Sequence, residues 1–264
     1  MTDHGVQLFG FTFSTLDAPA ALCLAQANQE AGARLAVTIN VDHVVTLSQD
    51  AEFRDAYKKA VLRTLDGMPL VLLARLRGAR GARRVTGHDL LAALLERDPT
   101  PLDRIFAVAA RPDVAQAIES RFTARGWPAD AIRSTVPAFG FQADAIESER
   151  LAQAIRAHAT TWLLMGVGAP KSEKWVIRMA AVLGSPVALC VGDALNVAAG
   201  YGVRAPAVLQ ATGLEWAWRF AGSPSRLFRR YFIRSLAFPL LALRNPDFSA
   251  EKGNGRPTGP AALH

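Results

Sequence analysis

Cysteine is scarce in this chain of 264 residues: only Cys23 and Cys190 occur, far apart and each inside an apolar segment. So few thiols exclude a disulfide framework and a cysteine-built zinc site, and they suit small core residues in a reducing compartment. Also absent are His-Glu-x-x-His, Gly-x-Ser-x-Gly, any closely spaced Cys/His set, and an Asp-x-Asp of the kind that holds a metal against a nucleotide diphosphate. His43, His88 and His158 are scattered and read as surface or cap residues. The expectation is chemistry that needs neither a metal ion nor a resident cofactor. The opening MTDHGVQLFG has no basic stretch followed by an apolar core and a small-residue cleavage site, which makes the cytoplasm the expected compartment.

Acidic residues are missing from one long stretch. Between Glu215 and Asp247 there is none, while Arg219, Arg226, Arg229, Arg230, Arg234 and Arg244 all fall there. The formal charge of +7 is therefore concentrated toward the C-terminus, where it attracts polyanions: nucleic acid, anionic lipid or phosphorylated substrates. On a helix Arg226, Arg229, Arg230 and Arg234 share a face, with Leu227, Phe228, Tyr231, Phe232 and Leu236 elsewhere and Trp216 and Trp218 just before them. That pattern fits a helix lying in a bilayer interface. The apolar run from Ser235 to Leu243 has nine residues, against the ~20 needed to span hydrocarbon, so it dips in without crossing. Docked helices with solvated arginines are the plainer reading of the same residues.

Half of the residues are hydrophobic, enough for one substantial core. Short β-rich runs alternate with helical patterns, which predicts an α/β fold: a Rossmann-like, mostly parallel sheet with crossover helices, followed by a C-terminal helical membrane-contact appendage. Predicted strands are Gln7 to Phe13, Arg34 to Ile39, Leu62 to Leu65, Arg104 to Ala109, Ile132 to Val136, Thr161 to Val167 and Pro186 to Val191. Helical spacing marks Asp17 to Gln29, Gln49 to Val61, Pro69 to Leu76, His88 to Glu96, Asp113 to Ala124, Asp144 to Ala157 and Lys171 to Val182. After Arg204-Ala205-Pro206 the strands stop. The chain therefore divides into a catalytic domain over 1–204, a basic helical appendage over 205–246 with a break at Ser223-Pro224, and a tail over 247–264. The tail is Gly, Pro and polar from about Ser249 and reads as disordered.

Three places could carry chemistry. In WLLMGVGAPKSEKW a predicted strand runs into Gly166 and Gly168 and a helix begins near Pro170. Glycines let a phosphate approach the backbone, and the helix start favours an anion, with Lys171 as a nearby cation. An ordinary turn between strand and helix has the same look, and Lys171 stands where the dinucleotide fingerprint has glycine. In GARRVTGHDLL, Arg83 and Arg84 precede a helix that Thr86 caps; they are either solvated or a clamp on diphosphate oxygens. In LRTLDGMPLVLLARL, Asp66 sits at an Asp-Gly turn, where a carboxylate is common for local reasons alone.

Taken together, TINVDHVVTL with AEFRDAY, LDGMPLV, RVTGHDL, PAFGF, GVGAPKSEKW, VGDALNVAAG with VRAP, and GLEWAWRFAGSPSRLFRRY resemble the WecG/TagA/CpsF family of bacterial glycosyltransferases, sequence family 26. The resemblance implies an inverting, metal-independent transfer of a sugar from a UDP-sugar to a polyprenyl-diphosphate-linked saccharide, by a peripheral protein on the cytoplasmic face of the bacterial inner membrane. It implies N-acetylmannosamine, its uronate or glucose as the sugar, and NVDH and DGMP lean toward the exopolysaccharide (xanthan-type glucosyltransferase) branch. Asp66 then becomes the general base, which removes the acceptor hydroxyl proton as the oxygen attacks. Thr38 and Asn40 match the family's Thr-x-Asn and line the pocket. Arg84, Thr86 and Gly87 match Arg-Val-Thr-Gly and contact diphosphate or acceptor, while Gly166, Gly168, Lys171, Ser172 and Glu173 hold the UDP. Arg219, Arg226, Arg229, Arg230 and Arg234 reach lipid diphosphate and headgroups.

Two departures bear on the donor. Ser172 stands where many relatives carry Gln, and Ala194-Leu195-Asn196 after Asp193 replaces the more usual Ala-Phe-Asp or Ala-Leu-Asp. The rival readings are a nicotinamide-dependent oxidoreductase, which shares the strand-glycine-helix pattern, and a non-enzymatic membrane-surface or nucleic-acid binding module driven by the arginine tail. The apolar face of that tail disfavours nucleic acid, and self-association is open.

Overall fold

The computed structural model describes residues 5–28, 31–206, 208–209, 215–222, 228 and 234–250; of Trp216, Arg219 and Arg234 it describes the backbone alone. Six strands form one parallel sheet: β3 (Arg34–Ile39), β4 (Leu62–Leu65), β5 (Ile105–Val108), β6 (Ile132–Thr135), β7 (Trp162–Met165) and β8 (Val187–Cys190), in the order β4-β3-β8-β7-β5-β6. Every neighbouring pair runs parallel, so all C-terminal strand ends lie along one edge. Strands β5, β7 and β8 are buried along their whole length, as expected of parallel strands covered on both faces.

The pleat divides the core in two. On β7, Leu163 and Met165 face one layer while Trp162 and Leu164 face the other. Helices α2 (Val41–Gln49), α3 (Ala51–Lys59), α4 (Met68–Leu76), α7 (Ala145–Ala157) and α8 (Lys171–Met179) cover the first face. The second is covered by α1 (Ala18–Ala27), α5 (Gly87–Glu96), α6 (Pro112–Ala124) and the five-residue α9 (Ala194–Ala198). Among the described residues, the helices α10 (Glu215–Gly222) and α11 (Phe238–Arg244) belong to the C-terminal stretch.

The structure differs from the sequence reading in three places. The predicted strand Gln7 to Phe13 is an antiparallel hairpin, β1 (Gly5–Leu8) and β2 (Phe11–Ser14), turning at Phe9 and Gly10. Both turn residues have positive φ (54° and 81°), as a type I′ hairpin turn requires. The continuous apolar run hid the turn because Phe9 is itself core, fully buried and stacked on Phe248 at 6.1 Å. Second, the stretch after β3 is a helix, α2, which the β-branched Val41, Val44, Val45 and Thr46 concealed. Asn40 starts it by accepting from the His43 amide at 3.0 Å. Third, Cys190 is buried but Cys23 is exposed on α1.

The C-terminal stretch returns to the hairpin. Asn245 Oδ1 accepts from the Phe9 amide at 2.8 Å, the Phe248 amide donates to Phe9 O at 3.0 Å, and Phe238 and Leu241 pack on the first core layer. Ser249, where the tail composition begins, donates its amide and hydroxyl to Asp247. Ser223-Pro224, Arg226, Arg229 and Arg230, together with residues 251–264, lie outside the described residues.

Candidate active site at the C-terminal edge of the sheet

Parallel pairing gathers the predicted residues. Ile39 pairs with Leu65, and the Asp66 amide donates to Ile39 O at 2.7 Å, so Asn40 and Asp66 stand side by side at the ends of β3 and β4. Gly67 takes φ +111°, a conformation in which glycine avoids Cβ strain, and turns the chain directly from Asp66 into α4. The Arg84-Val85-Thr86 segment continues the edge: the Val85 amide donates to Leu65 O at 2.8 Å and Thr64 Oγ1 to Val85 O at 2.8 Å. At Gly87 a Cβ would come within 3.2 Å of the Val191 Cα and 3.1 Å of its oxygen, so the start of α5 lies against the end of β8. The Gly166 amide donates to Val108 O at 2.8 Å and extends β7 to the same rim.

Three of the helices that begin on this rim differ in how their starts are satisfied. α5 is closed: Thr86 accepts from the Asp89 amide, and Asp89 accepts from both the Thr86 amide and its hydroxyl. Burial pushes the Asp89 carboxyl up, but the Thr86 amide and Arg204, whose Nη2 lies 2.6 Å away, overcome this and hold it below its ordinary value. By contrast α4 and α8 start at Gly67 and Pro170, neither of which supplies a side-chain cap. Before α8, Gly168 has φ +88° and nothing within 4 Å of where a Cβ would stand, which leaves open backbone beside Lys171. Lys171 is half-buried and has no side-chain partner among the described residues.

A family model described as "Glycosyl transferase WecG/TagA/CpsF family" matches residues 6–252. The chain belongs to this glycosyltransferase family. Its activity is accordingly of the glycosyltransferase type, and the rim is where such an enzyme of parallel-sheet architecture presents its loops.

Within the glycosyltransferase, two predicted UDP contacts are turned inward. Ser172 is buried and its hydroxyl donates to Gly168 O at 3.0 Å, bracing the loop; Glu173 is 2% exposed, with Oε2 lacking a hydrogen-bond partner. Burial raises the Glu173 carboxyl to about 7. Its charge adds to burial in pushing up the Tyr57 hydroxyl and the Cys190 thiol. Thr38 is buried too, and its carbonyl faces the Tyr57 hydroxyl at 3.5 Å. The same hydroxyl lies 2.9 Å from His43 Nδ1, so His43, read from sequence as a surface or cap residue, is a buried member of this layer under the rim.

Arg84 does not hang free in solvent. Its Nη1 is 2.6 Å from Glu215 Oε2, both side chains being mostly covered, and this pair ties α10 to the rim. Sequence reasoning passed over Glu215, Tyr57 and the Asp89–Arg204 pair; the GLEW motif contained the only signal for the first, and the others depend on contacts distant in sequence. On the opposite helical layer, a cleft of about 360 Å³ lies between α5, α6 and α9, lined by His88, Leu91, Leu95, Arg121, Val197 and Arg204. Arg219 falls on α10 and Arg234 in the short 3-10 turn before α11. Among the described residues no three His, Cys, Asp or Glu side chains converge as metal ligands would.

Gly166 is a test of how tightly the rim is built. A Cβ there would stand 2.5 Å from Leu195 Cδ2, 3.1 Å from Leu195 Cβ and 3.2 Å from Val108 O. Gly166→Ala is expected to cost about 1–3 kcal/mol through overpacking, read as a lowered urea midpoint. An unchanged midpoint would mean that α9 moves aside freely.

Proposed function

We propose that this protein is an inverting, metal-independent glycosyltransferase that moves a sugar from a UDP-sugar to a polyprenyl-diphosphate-linked saccharide, in bacterial exopolysaccharide or cell-surface glycan synthesis. The sugar is N-acetylmannosamine, its uronate or glucose. The observation that carries the reading is the shared rim: Asp66 at the end of β4 and the open Gly168–Lys171 start of α8 after β7 lie three strand spacings apart, about 14 Å. A nucleoside diphosphate sugar can bridge such a gap.

In this reading the α8 amides, the Gly168 backbone and Lys171 hold the diphosphate, and Asn40, Thr38 and Arg84 shape the sugar and acceptor end. Thr86, Gly87, Ser172 and Glu173 keep the loops in place. Asp66 takes the proton from the acceptor hydroxyl, and the oxygen forms its bond to the anomeric carbon from the face opposite the leaving group. The bond from that carbon to the β-phosphate oxygen breaks, and its electron pair leaves with UDP. Charge growing on UDP is met by helix-end amides and Lys171. The basic stretch 205–246, with Arg219, Arg226, Arg229, Arg230 and Arg234, meets lipid diphosphate and headgroups on the cytoplasmic membrane face. No helix among the described residues is long and apolar enough to cross a membrane.

The test is UDP release from a panel of N-acetylmannosamine, N-acetylmannosaminuronate, glucose and glucuronate nucleotides, with a short lipid-diphosphate-linked sugar as acceptor and no added metal. Turnover with one donor, retained in chelator, is expected. Reduction or oxidation of a nicotinamide nucleotide in its place would sink the reading.

A further inference from the structure

Two helices far apart in sequence, both packed on the first core layer, leave leucines in solvent. On α4, Leu72 is 51% exposed and Leu76 86%; at and before α11, Leu236, Leu240 and Leu243 are 73%, 50% and 82% exposed. The first pair is spaced i, i+4 and the second set i, i+4, i+7, so each makes one stripe along its helix. The opposite faces are already used, since Leu70, Val71 and Ala74 of α4 and Phe238 and Leu241 of α11 pack on the core. Arg77 Nη2 donates to Ala242 O at 2.6 Å and so joins the end of α4 to α11.

The charge along α4 and its following loop has one sign, whereas the exposed Asp247 follows α11. From Gly67 to His88 there is no carboxylate, and Arg75, Arg77, Arg80 and Arg83 are all exposed, as is Arg244 at the end of α11. Arg75 Nη2 donates to Ala82 O at 3.0 Å, which folds the loop back against its helix; Arg80 and Arg83 have no side-chain partner among the described residues. Exposed apolar stripes rimmed by cations fit the interface of an anionic bilayer, which accepts leucines among acyl chains and arginines on phosphates. A second copy would set arginine against arginine.

We propose that α4, the loop over 78–84 and α11 form one docking face for an anionic lipid bilayer. The face extends membrane contact beyond the arginine tail to a helix of the sheet domain, and its use for the reaction rests on the transfer reading above. α4 starts at the Asp66–Gly67 turn, and Leu72 and Leu76 stand about 6 and 12 Å along its axis from Met68. Docking this helix therefore sets the distance between Asp66 and the headgroups from which a lipid-linked acceptor arrives.

The experiment is flotation of the full chain with phosphatidylglycerol-containing and with purely phosphatidylcholine vesicles. It compares wild type with Leu72→Gln/Leu76→Gln, Leu240→Gln/Leu243→Gln and Arg80→Gln/Arg83→Gln, each checked for an unchanged melting curve. Either leucine pair is expected to weaken partitioning about tenfold or more. The arginine pair weakens it on anionic vesicles alone, and the difference fades in high salt. UDP release with a water-soluble acceptor stays at the wild-type rate in both leucine variants. Undiminished flotation of both leucine variants would overturn the proposal. So would a wild-type dimer that Leu72→Gln/Leu76→Gln converts to monomer, which would make the face a contact between copies. Leucine-dependent flotation without any UDP release would leave docking standing while the transfer reading fails.

Discussion

Asp66→Asn is expected to lower kcat for UDP release by about 10²- to 10⁴-fold, the range supplied by a positioned general base, with little change in donor KM. The side chain and the backbone it sits on have separate roles. The Asp66 amide holds Ile39 O and Gly67 makes the turn at φ +111°, and neither depends on a carboxylate. Asn keeps the size and polarity of the side chain but cannot accept the acceptor's proton at neutral pH. Melting is therefore expected to stay near the wild-type value while turnover collapses. The Asp66 carboxylate is also near enough to Tyr57 to help push its hydroxyl upward, so the substitution eases that perturbation slightly. Turnover at the wild-type rate would move the chemistry off the Asp-Gly turn altogether.

The second large effect concerns stability and belongs to Glu173. Burial raises its carboxyl from 4.5 to about 7. Between those values the folded chain holds a proton that the unfolded chain has lost, so stability declines as pH rises through this window and levels off above about 7. A shift of this size corresponds to about 3 kcal/mol. Glu173→Gln removes the ionisation, and the amide shares the carboxyl's shape among Tyr57, Cys190 and the first turn of α8. At pH 8 the variant is expected to be more stable than wild type by about 1–3 kcal/mol, the lower end allowing for unmet amide hydrogen bonds. At pH 5, where wild-type Glu173 is neutral in the folded chain, the gain falls below about 1 kcal/mol. Urea midpoints for both proteins at the two pH values decide the matter: parallel behaviour would show that the carboxylate is solvated or paired when ionised.

Glu173 also shows where reading the sequence stops. The stretch around Gly-Ala-Pro-Lys reads correctly as a strand end, glycines and a helix start, but it could not say which of its side chains point outward. Lys171 is half-buried without a side-chain partner among the described residues, whereas Ser172 and Glu173 turn inward, because α8 lays its first turn over Tyr57 and Cys190. The same limit hid His43. A lone histidine beside two valines gives no hint that a tyrosine fourteen residues later will meet its ring at 2.9 Å.

Alternation of β-rich runs with helical spacing was enough to locate the six parallel strands and seven of the helices, because burial on both faces forces continuous apolar strands and amphipathic covers. Asp66 at a sharp turn, Thr86 as a cap and glycine after β7 were legible for the same reason: each is dictated by neighbours within a few residues. Tertiary structure alone decided the strand order β4-β3-β8-β7-β5-β6, which brings Asp66 and Gly168 to one edge. It also decided the pairing of Arg84 with Glu215 and the meeting of α4 with α11, across separations of 131 and 165 residues. Local propensity carries no information over such distances; those contacts exist because parallel strands align their ends and the two helical layers must close over a shared core.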